Sequence, residues 1–203
     1  MGSTRQKPGH TVPAQKPSSS GTNGFEVSIA LPWNLTIPEK GQIARMHDQA
    51  WPAGPLWHSR LPANILYKCD FLHVVRKTSS REIVGFGIST TSGSIYSLRD
   101  DDPPGIGIHL DLAVIEESHR GRGLFGILTG EQARMAVQDG FRVITAKATH
   151  DLVLPTLARR LDEMSNAGMI VGFDGTVDSC DLRKCLRDRM LLGDVEIRIR
   201  PLP

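Results

Sequence analysis

The feature that most constrains this chain is a strand that runs into a glycine- and arginine-rich turn and leaves it as a helix, spanning Leu112 to Leu128. Gly107 to Ile115 alternates His109, Asp111 and Ala113 against Leu110, Leu112 and Val114, which is the period of a strand. Leu124 to Asp139 carries Leu124, Ile127, Leu128, Ala133, Met135 and Ala136 at helical spacing and stops at Gly140. The start of a helix leaves backbone N–H groups unpaired and carries partial positive charge, and phosphate oxygens satisfy both. Gly121, Gly123 and Gly126 let the backbone approach such an anion without a Cβ in the way, and Arg120 and Arg122 add positive charge beside it. No Gly-Lys-Ser/Thr closes the turn, so it is not a Walker A loop. Its glycines do not fit Gly-x-Gly-x-x-Gly directly after the strand, so it is not the usual dinucleotide fingerprint either. An ordinary glycine-rich connection between strand and helix is the alternative reading.

The remaining elements fall around this unit. Phe25 to Leu31 alternates as a first strand, and Glu39 to Ala50 places Ile43, Met46 and Ala50 at helical spacing. Trp51 to Pro55 reads as a loop and Arg60 to Lys68 as a second short helix. Phe71 to Lys77 and Glu82 to Thr90 form a hairpin across Thr78-Ser79-Ser80. Ser92 to Gly105 is polar and Pro-rich, a loop. Beyond the central helix come a strand over Phe141 to Ala148, a helix over Pro155 to Met164 and a strand over Met169 to Phe173. A basic-faced helix over Leu182 to Leu192 and a last strand over Val195 to Ile199 complete the order. This order predicts an α/β fold: one domain over 25–203, with a mixed, mostly antiparallel sheet of about seven strands flanked by helices. Residues 1–24, rich in Ser, Gly, Pro and Lys, read as a flexible tail.

Composition narrows the function. The chain has 203 residues, room for one well-buried domain, and its formal net charge of +2 demands neither nucleic acid nor an anionic membrane. Cys69, Cys180 and Cys185 show no C-x-x-C spacing, so neither a disulfide framework nor a zinc site is expected, and a cytoplasmic location is. No apolar run approaches the ~18 residues of a membrane helix.

Val114 to Leu128 resembles the acyl-CoA-binding motif of the GNAT (GCN5-related N-acetyltransferase) superfamily, written Arg/Gln-x-x-Gly-x-Gly/Ala, with Arg120-Gly121-Arg122-Gly123-Leu124 on its first five positions. The element order over 25–200 is similar as well. The resemblance implies an acyltransferase that takes acetyl-CoA or another acyl-CoA as co-substrate, without a metal, and acylates an amine of a small molecule. It implies that the pyrophosphate rests on Arg120, Gly121, Arg122, Gly123, Leu124, Phe125 and Gly126, and that the pantetheine arm runs along the strand at Val114 and Ile115. A backbone N–H near Val114 or Ile115 would then polarise the acyl carbonyl. Three departures stand out. Phe125 occupies the position of a small residue, and one extra residue separates Val114 from Arg120. The family's Asn after the fifth strand and Tyr in the next helix have no counterparts; Thr149-His150-Asp151 and Leu157 to Asp162 stand there instead.

Acyl transfer to an amine needs a base. Asp111 and His109 are the candidates, because strand alternation puts both on one face; a structural hydrogen bond is the competing role for each. His119 reads as a phosphate or ribose neighbour, and His150 as a cap. Arg183, Lys184, Arg187 and Arg189 crowd one short helix, with Arg159 and Arg160 upstream, a solvated face or a contact for a phosphate backbone. Two alternatives therefore stand beside the CoA-dependent enzyme: the same fold acting on an acyl- or aminoacyl-tRNA or another RNA-linked substrate, and a degenerate module that binds a ligand without turnover.

Overall fold

The computed structural model describes residues 24–50, 66, 69–91 and 107–203. The elements are β1 (Phe25–Ala30), α1 (Ile37–Ala50), β2 (Phe71–Lys77), β3 (Ile83–Thr91), β4 (Gly107–Ile115), α2 (Leu124–Gln138), β5 (Val143–Ala148), α3 (Val153–Asn166), β6 (Gly172–Val177), β7 (Cys180–Asp181), α4 (Leu182–Asp188) and β8 (Gly193–Arg200). The strands form one mixed sheet in the order β1-β2-β3-β4-β5-β8-β6-β7. Every pairing is antiparallel except β4 with β5, which α2 connects as a crossover. The expected mixed, mostly antiparallel sheet is therefore present. Its eighth strand is the two-residue β7, too short to leave a trace in the sequence pattern.

Alternation along the strands divides the core. Leu72, Val74, Phe86, Ile88 and Val114 pack with Ile43 and Met46 of α1 on one face. Val75, Val84 and Ile115 pack with Leu124 and Leu128 of α2 on the other. The longer apolar side of α2, through Ala133, Met135 and Ala136, joins Leu154, Leu157 and Leu161 of α3 against β5 and β8. Gly87 permits this closeness: a Cβ there would lie 2.8 Å from Gln132 Nε2, whose amide instead donates to Ser89 Oγ at 3.1 Å.

Several boundaries differ from the sequence reading. α1 begins before Glu39 because Thr36 caps it. Glu39 Oε2 accepts from the Thr36 backbone N–H at 2.8 Å, and Thr36 Oγ1 accepts from the Glu39 N–H at 3.4 Å, a reciprocal capping box. α3 starts at Val153 and runs on to Asn166, with Pro155 inside its first turn. β6 starts only at Gly172 because Met169 still closes the end of α3, its N–H donating to the Met164 carbonyl at 2.9 Å. α4 stops at Asp188, short of Leu192, because Arg189 turns left-handed at φ 56°. The proposed loops at 51–55 and 92–105, the helix at 60–68 except Leu66, and the tail before Gly24 lie outside the described residues.

Candidate active site

The site begins where β4 and β5 part. They pair from Gly107–Val143 to Leu110–Ala146 and no further. Beyond that point β5 follows β8 through Lys147 and Ala148, while β4 follows β3. The β3–β4 register slips by one residue: Ile88 faces Leu112 but Ser89 faces Leu110, so Asp111 is the extra residue of a bulge. The bulge breaks the strict alternation read from the sequence. Ala113 no longer shares a face with His109; it packs with Ile115 toward α2, while Leu112 and Val114 face α1.

The same ladder fixes where the peptide groups point. The N–H of Glu116 donates to the Val84 carbonyl at 2.9 Å. Bonded and non-bonded pairs alternate in an antiparallel ladder, so Val114 and Leu112 turn their peptide groups toward β3. Those of Ala113 and Ile115 then face the gap. The Ile115 carbonyl is held there by Arg120 Nε at 3.2 Å.

Along this gap lies a cavity of about 930 Å³. One end is walled by His119, Arg120, Gly121, Gly123, Leu124, Phe125 and Gly126, the middle by β4 from Leu110 to Ile115, and the other side by Ala146, Lys147, Thr149, His150, Leu152 and Val153. Gly121 and Gly123 both stand at φ 75°, where an L side chain is strained, and no other group comes within 4 Å of where a Cβ would sit. Among the described residues, the N–H groups of Gly121 through Gly126 donate to no acceptor; the first bond of the helix is Ile127 to the Gly123 carbonyl at 3.2 Å. Gly121 and Gly123 through Gly126, which wall the cavity, thus bring unpaired donors to the positive end of a 15-residue helix. Phe125 does not seal that end: its half-buried side chain packs on the core cluster of Phe25, Val27 and Leu128 while bordering the cavity. His119 is pinned beside the turn. Glu116 Oε2 and Ser118 Oγ each lie 2.8 Å from its Nδ1, and its ring meets Phe25 edge-on.

At the bulge the cavity meets Asp111, His109 and, from the end of α1, His47 and Ala50. Thr90 Oγ1 donates to Asp111 Oδ2 at 2.9 Å. Burial pushes the Asp111 carboxyl up to about 6, and the nearby Asp70 carboxylate pushes the same way, while the Thr90 hydrogen bond opposes them. Asp111 is nevertheless solvent-exposed where it borders the cavity, so without a ligand water offsets much of that rise, and a ligand that displaces the water restores it. His109 is 4% exposed, its Nδ1 2.9 Å from Thr145 Oγ1, and burial holds it down to about 4, so it is neutral at physiological pH.

The sequence reading thus finds its turn residues, His109 and Asp111 along one cavity, except Arg122, which does not line it. It missed His47, Gln132 and Thr129, and it set Arg159 with the basic face; α1, α2 and α3 bring all four to the same walls. The basic helix does not join them. Arg183 is tied to both carboxylate oxygens of Asp162, at 3.0 and 3.3 Å, and its guanidinium lies 4.6 Å over the Phe173 ring. Arg187 pairs with Asp188 at 3.1 Å. Lys184 lies on the same helix, its backbone N–H donating to the Asp181 carboxylate at 2.8 Å. Both tyrosines, Tyr67 and Tyr96, lie outside the described residues. Among the described residues, no helix is long and apolar enough to cross a membrane.

No protein-family model matches the chain, and no curated protein matches it in sequence. Solved structures do match in fold. A GCN5-related N-acetyltransferase from Kribbella flavida is similar at a TM-score of 0.50 and 15% identity, covering 88% of this chain and 98% of its own. Tetrahymena GCN5 reaches a TM-score of 0.49 at 10% identity over 63% of this chain and 73% of its own. The aminoglycoside N-acetyltransferase AAC(6′)-Iy, solved with CoA, reaches 0.46 at 15% identity over 70% and 85%. The Kribbella likeness carries the assignment: this chain has the GNAT fold.

Proposed function

We propose that the chain is an N-acyltransferase that moves an acyl group, acetyl first among the candidates, from an acyl-CoA to an amine of a small molecule. The observation that carries this reading is the row of unpartnered N–H groups from Gly121 to Gly126, opening into a cavity that runs along the free edge of β4 to a carboxyl at the bulge. A doubly charged pyrophosphate fits the turn, because the donors, the helix end and Arg120 and Arg122 all favour an anion there. The free edge offers peptide groups at Ile115 and then Ala113 to an extended amide-bearing arm, much as a strand would. The arm delivers its thioester to the bulge.

There, an acceptor amine must be neutral to attack. Asp111 takes the proton from the incoming ammonium: a carboxyl raised toward 6 is a better base near neutral pH than one at 3.8. Neutral His109 lines the same corner and assists through its hydrogen bonds. The developing oxyanion needs an N–H within reach of the same carbonyl as Asp111. Val114, one expected donor, turns its peptide group toward β3. Ile115 lies two residues nearer the turn than Ala113, about 7 Å further along the strand from the bulge. The donor we assign is therefore the Ala113 N–H, with Ile115 holding the arm and the Val114 side chain packing beneath it. Attack forms the C–N bond and leaves the nitrogen with a surplus proton; the tetrahedral intermediate then collapses, the C–S bond breaks, and that proton passes through water to the departing CoA thiolate, giving amide and thiol.

Binding and turnover test this together. Acetyl-CoA or a longer acyl-CoA is expected to raise the melting temperature of the wild type, and Gly123→Glu, which places a carboxylate in the cradle, is expected to abolish that shift. Acyl transfer to a panel of small amines completes the test. Absence of a shift with every acyl-CoA at millimolar concentration overturns the reading.

A further inference from the structure

Two guanidinium groups lie across the first turn of α2, the positive end of the helix. A Cβ on Gly126 would stand 3.3 Å from Arg159 Nη2 and 3.3 Å from Arg160 Nη2, so a glycine there leaves room for both side chains of α3. Cations at a helix N-terminus are repelled by its partial charge, so this arrangement is unfavourable on its own. Arg160 is accounted for: its Nε donates to the Gly126 carbonyl at 3.0 Å and its Nη1 to Glu163 Oε2 at 2.6 Å. Arg159 is not. Among the described residues its carboxylate partner is the same Glu163, 3.9 Å from Nε and already engaged by Arg160, and its side chain is 62% exposed while lining the cavity. One carboxylate thus serves two guanidiniums beside the unpaired N–H groups of the turn, and an anion seated between them would satisfy all three.

We infer that Arg159 is a phosphate clamp: it closes over the donor's pyrophosphate from the α3 side, opposite the Gly121–Gly126 amides, and Gly126 is small so that it can. This rests on the donor reading above, and it adds a positioning residue that the turn motif does not contain. In this arrangement the pyrophosphate is gripped from two helices, so its seating depends on the packing of α3 against α2 as well as on the turn.

The test uses isothermal titration of the full chain with CoA, 3′-dephospho-CoA and inorganic pyrophosphate, for wild type, Arg159→Ala, Arg159→Lys and the distant Arg187→Ala. The expected result is a loss of about tenfold in affinity for CoA and dephospho-CoA alike in Arg159→Ala, with partial recovery in Arg159→Lys. Arg187→Ala should match the wild type. The affinity of Arg159→Ala should also fall less steeply with added salt. Equal CoA affinity in wild type and Arg159→Ala overturns the clamp and leaves the donor reading intact. Loss for CoA but not for dephospho-CoA also overturns it, by assigning the arginine to the 3′-phosphate. Pyrophosphate binding that depends on Arg159, without CoA binding, sustains the clamp and removes the donor reading. Failure of all three ligands on the wild type removes both.

Discussion

Thr90 Oγ1 donates a 2.9 Å hydrogen bond to Asp111 Oδ2 across the β3–β4 pair, at the step where the register slips by one residue. The bulge aims the carboxyl into the cavity, and the threonine holds it there. The bond also tempers the carboxyl's basicity, because it favours the charged form against the effect of burial and of Asp70. Asp111→Asn should therefore lower kcat by two to four orders of magnitude, the usual range for a lost general base (~10²–10⁴), with acyl-CoA affinity little changed. The rate should fall as pH drops through about 6, and Thr90→Val should move that limb upward, since the opposing contribution is gone. A pH–rate profile without a limb near 6, or one unmoved in the Thr90 variant, removes Asp111 from the role.

The glycines of the turn separate backbone strain from anion binding. At Gly123 the φ of 75° costs an L residue about 1–2 kcal/mol, yet the space around the missing Cβ is empty. Gly123→Ala should thus lower stability by about that amount while retaining a weakened ligand-induced shift in melting temperature; Gly123→Glu should lose the shift entirely. Thermal melts with and without acetyl-CoA distinguish the two, and equal shifts in both variants would argue that no anion sits on these amides.

Legibility in the sequence followed the range of the forces involved. β4 and the core of α2 could be read nearly to the residue, because alternation and helical spacing are local and Gly140 marks the stop. The turn was legible for the same reason: its glycines and arginines are contiguous. The bulge at Asp111 was not, since register depends on β3, where Ser89 and Ile88 choose their partners. His47 was invisible as a site residue, and Arg159 read only as part of a basic face, because each reaches the cavity only after α1 or α3 has docked. Arg183 was misleading in the opposite sense: it looks like free positive charge until folding brings Asp162 and Phe173 beneath it.

At the far end of the sheet, Arg76 Nη2 donates to Glu39 Oε1 at 2.7 Å, joining β2 to the first turn of α1. The Arg76 hydrogen bond holds the Glu39 carboxyl down to about 2 from 4.5, against burial, with further help from Thr36. A depressed carboxylate contributes its stability above the unfolded value and loses it as pH falls from about 4.5 toward 2. Glu39 keeps 24% of its side chain exposed, so solvent screening reduces the contribution to roughly 1–2 kcal/mol. Glu39→Gln should lower the urea midpoint at pH 7 by that amount and leave it nearly unchanged at pH 2. An equal loss at both pH values would mean that the capping geometry, not the charge, matters.

His73 poses the opposite problem. It sits on β2 between Ile29 and Gly87, 1% exposed, and neither ring nitrogen has a hydrogen-bond partner among the described residues. Burial, with Arg134 adding to it, drives the imidazole down to about 4 from 6.5. The neutral ring is the only form the core accepts, so the unfolded chain binds a proton more readily over that window. Stability is then fully present above pH 6.5 and falls as the pH drops toward 4, by up to about 3 kcal/mol at 1.36 kcal/mol per unit. His73→Leu removes both unsatisfied nitrogens and keeps most of the volume, so it should raise stability at pH 7 by about 1–2 kcal/mol. It should also flatten the loss between pH 6.5 and 4. The flattening will be incomplete, because His109 is held down to about 4 as well and continues to titrate. Denaturant midpoints for wild type, His73→Leu and a His109→Gln control across that window separate the two contributions. A His73→Leu protein that is less stable and retains the full wild-type slope would show that the imidazole's shape, and not its unpaired nitrogens, determines its place in the core.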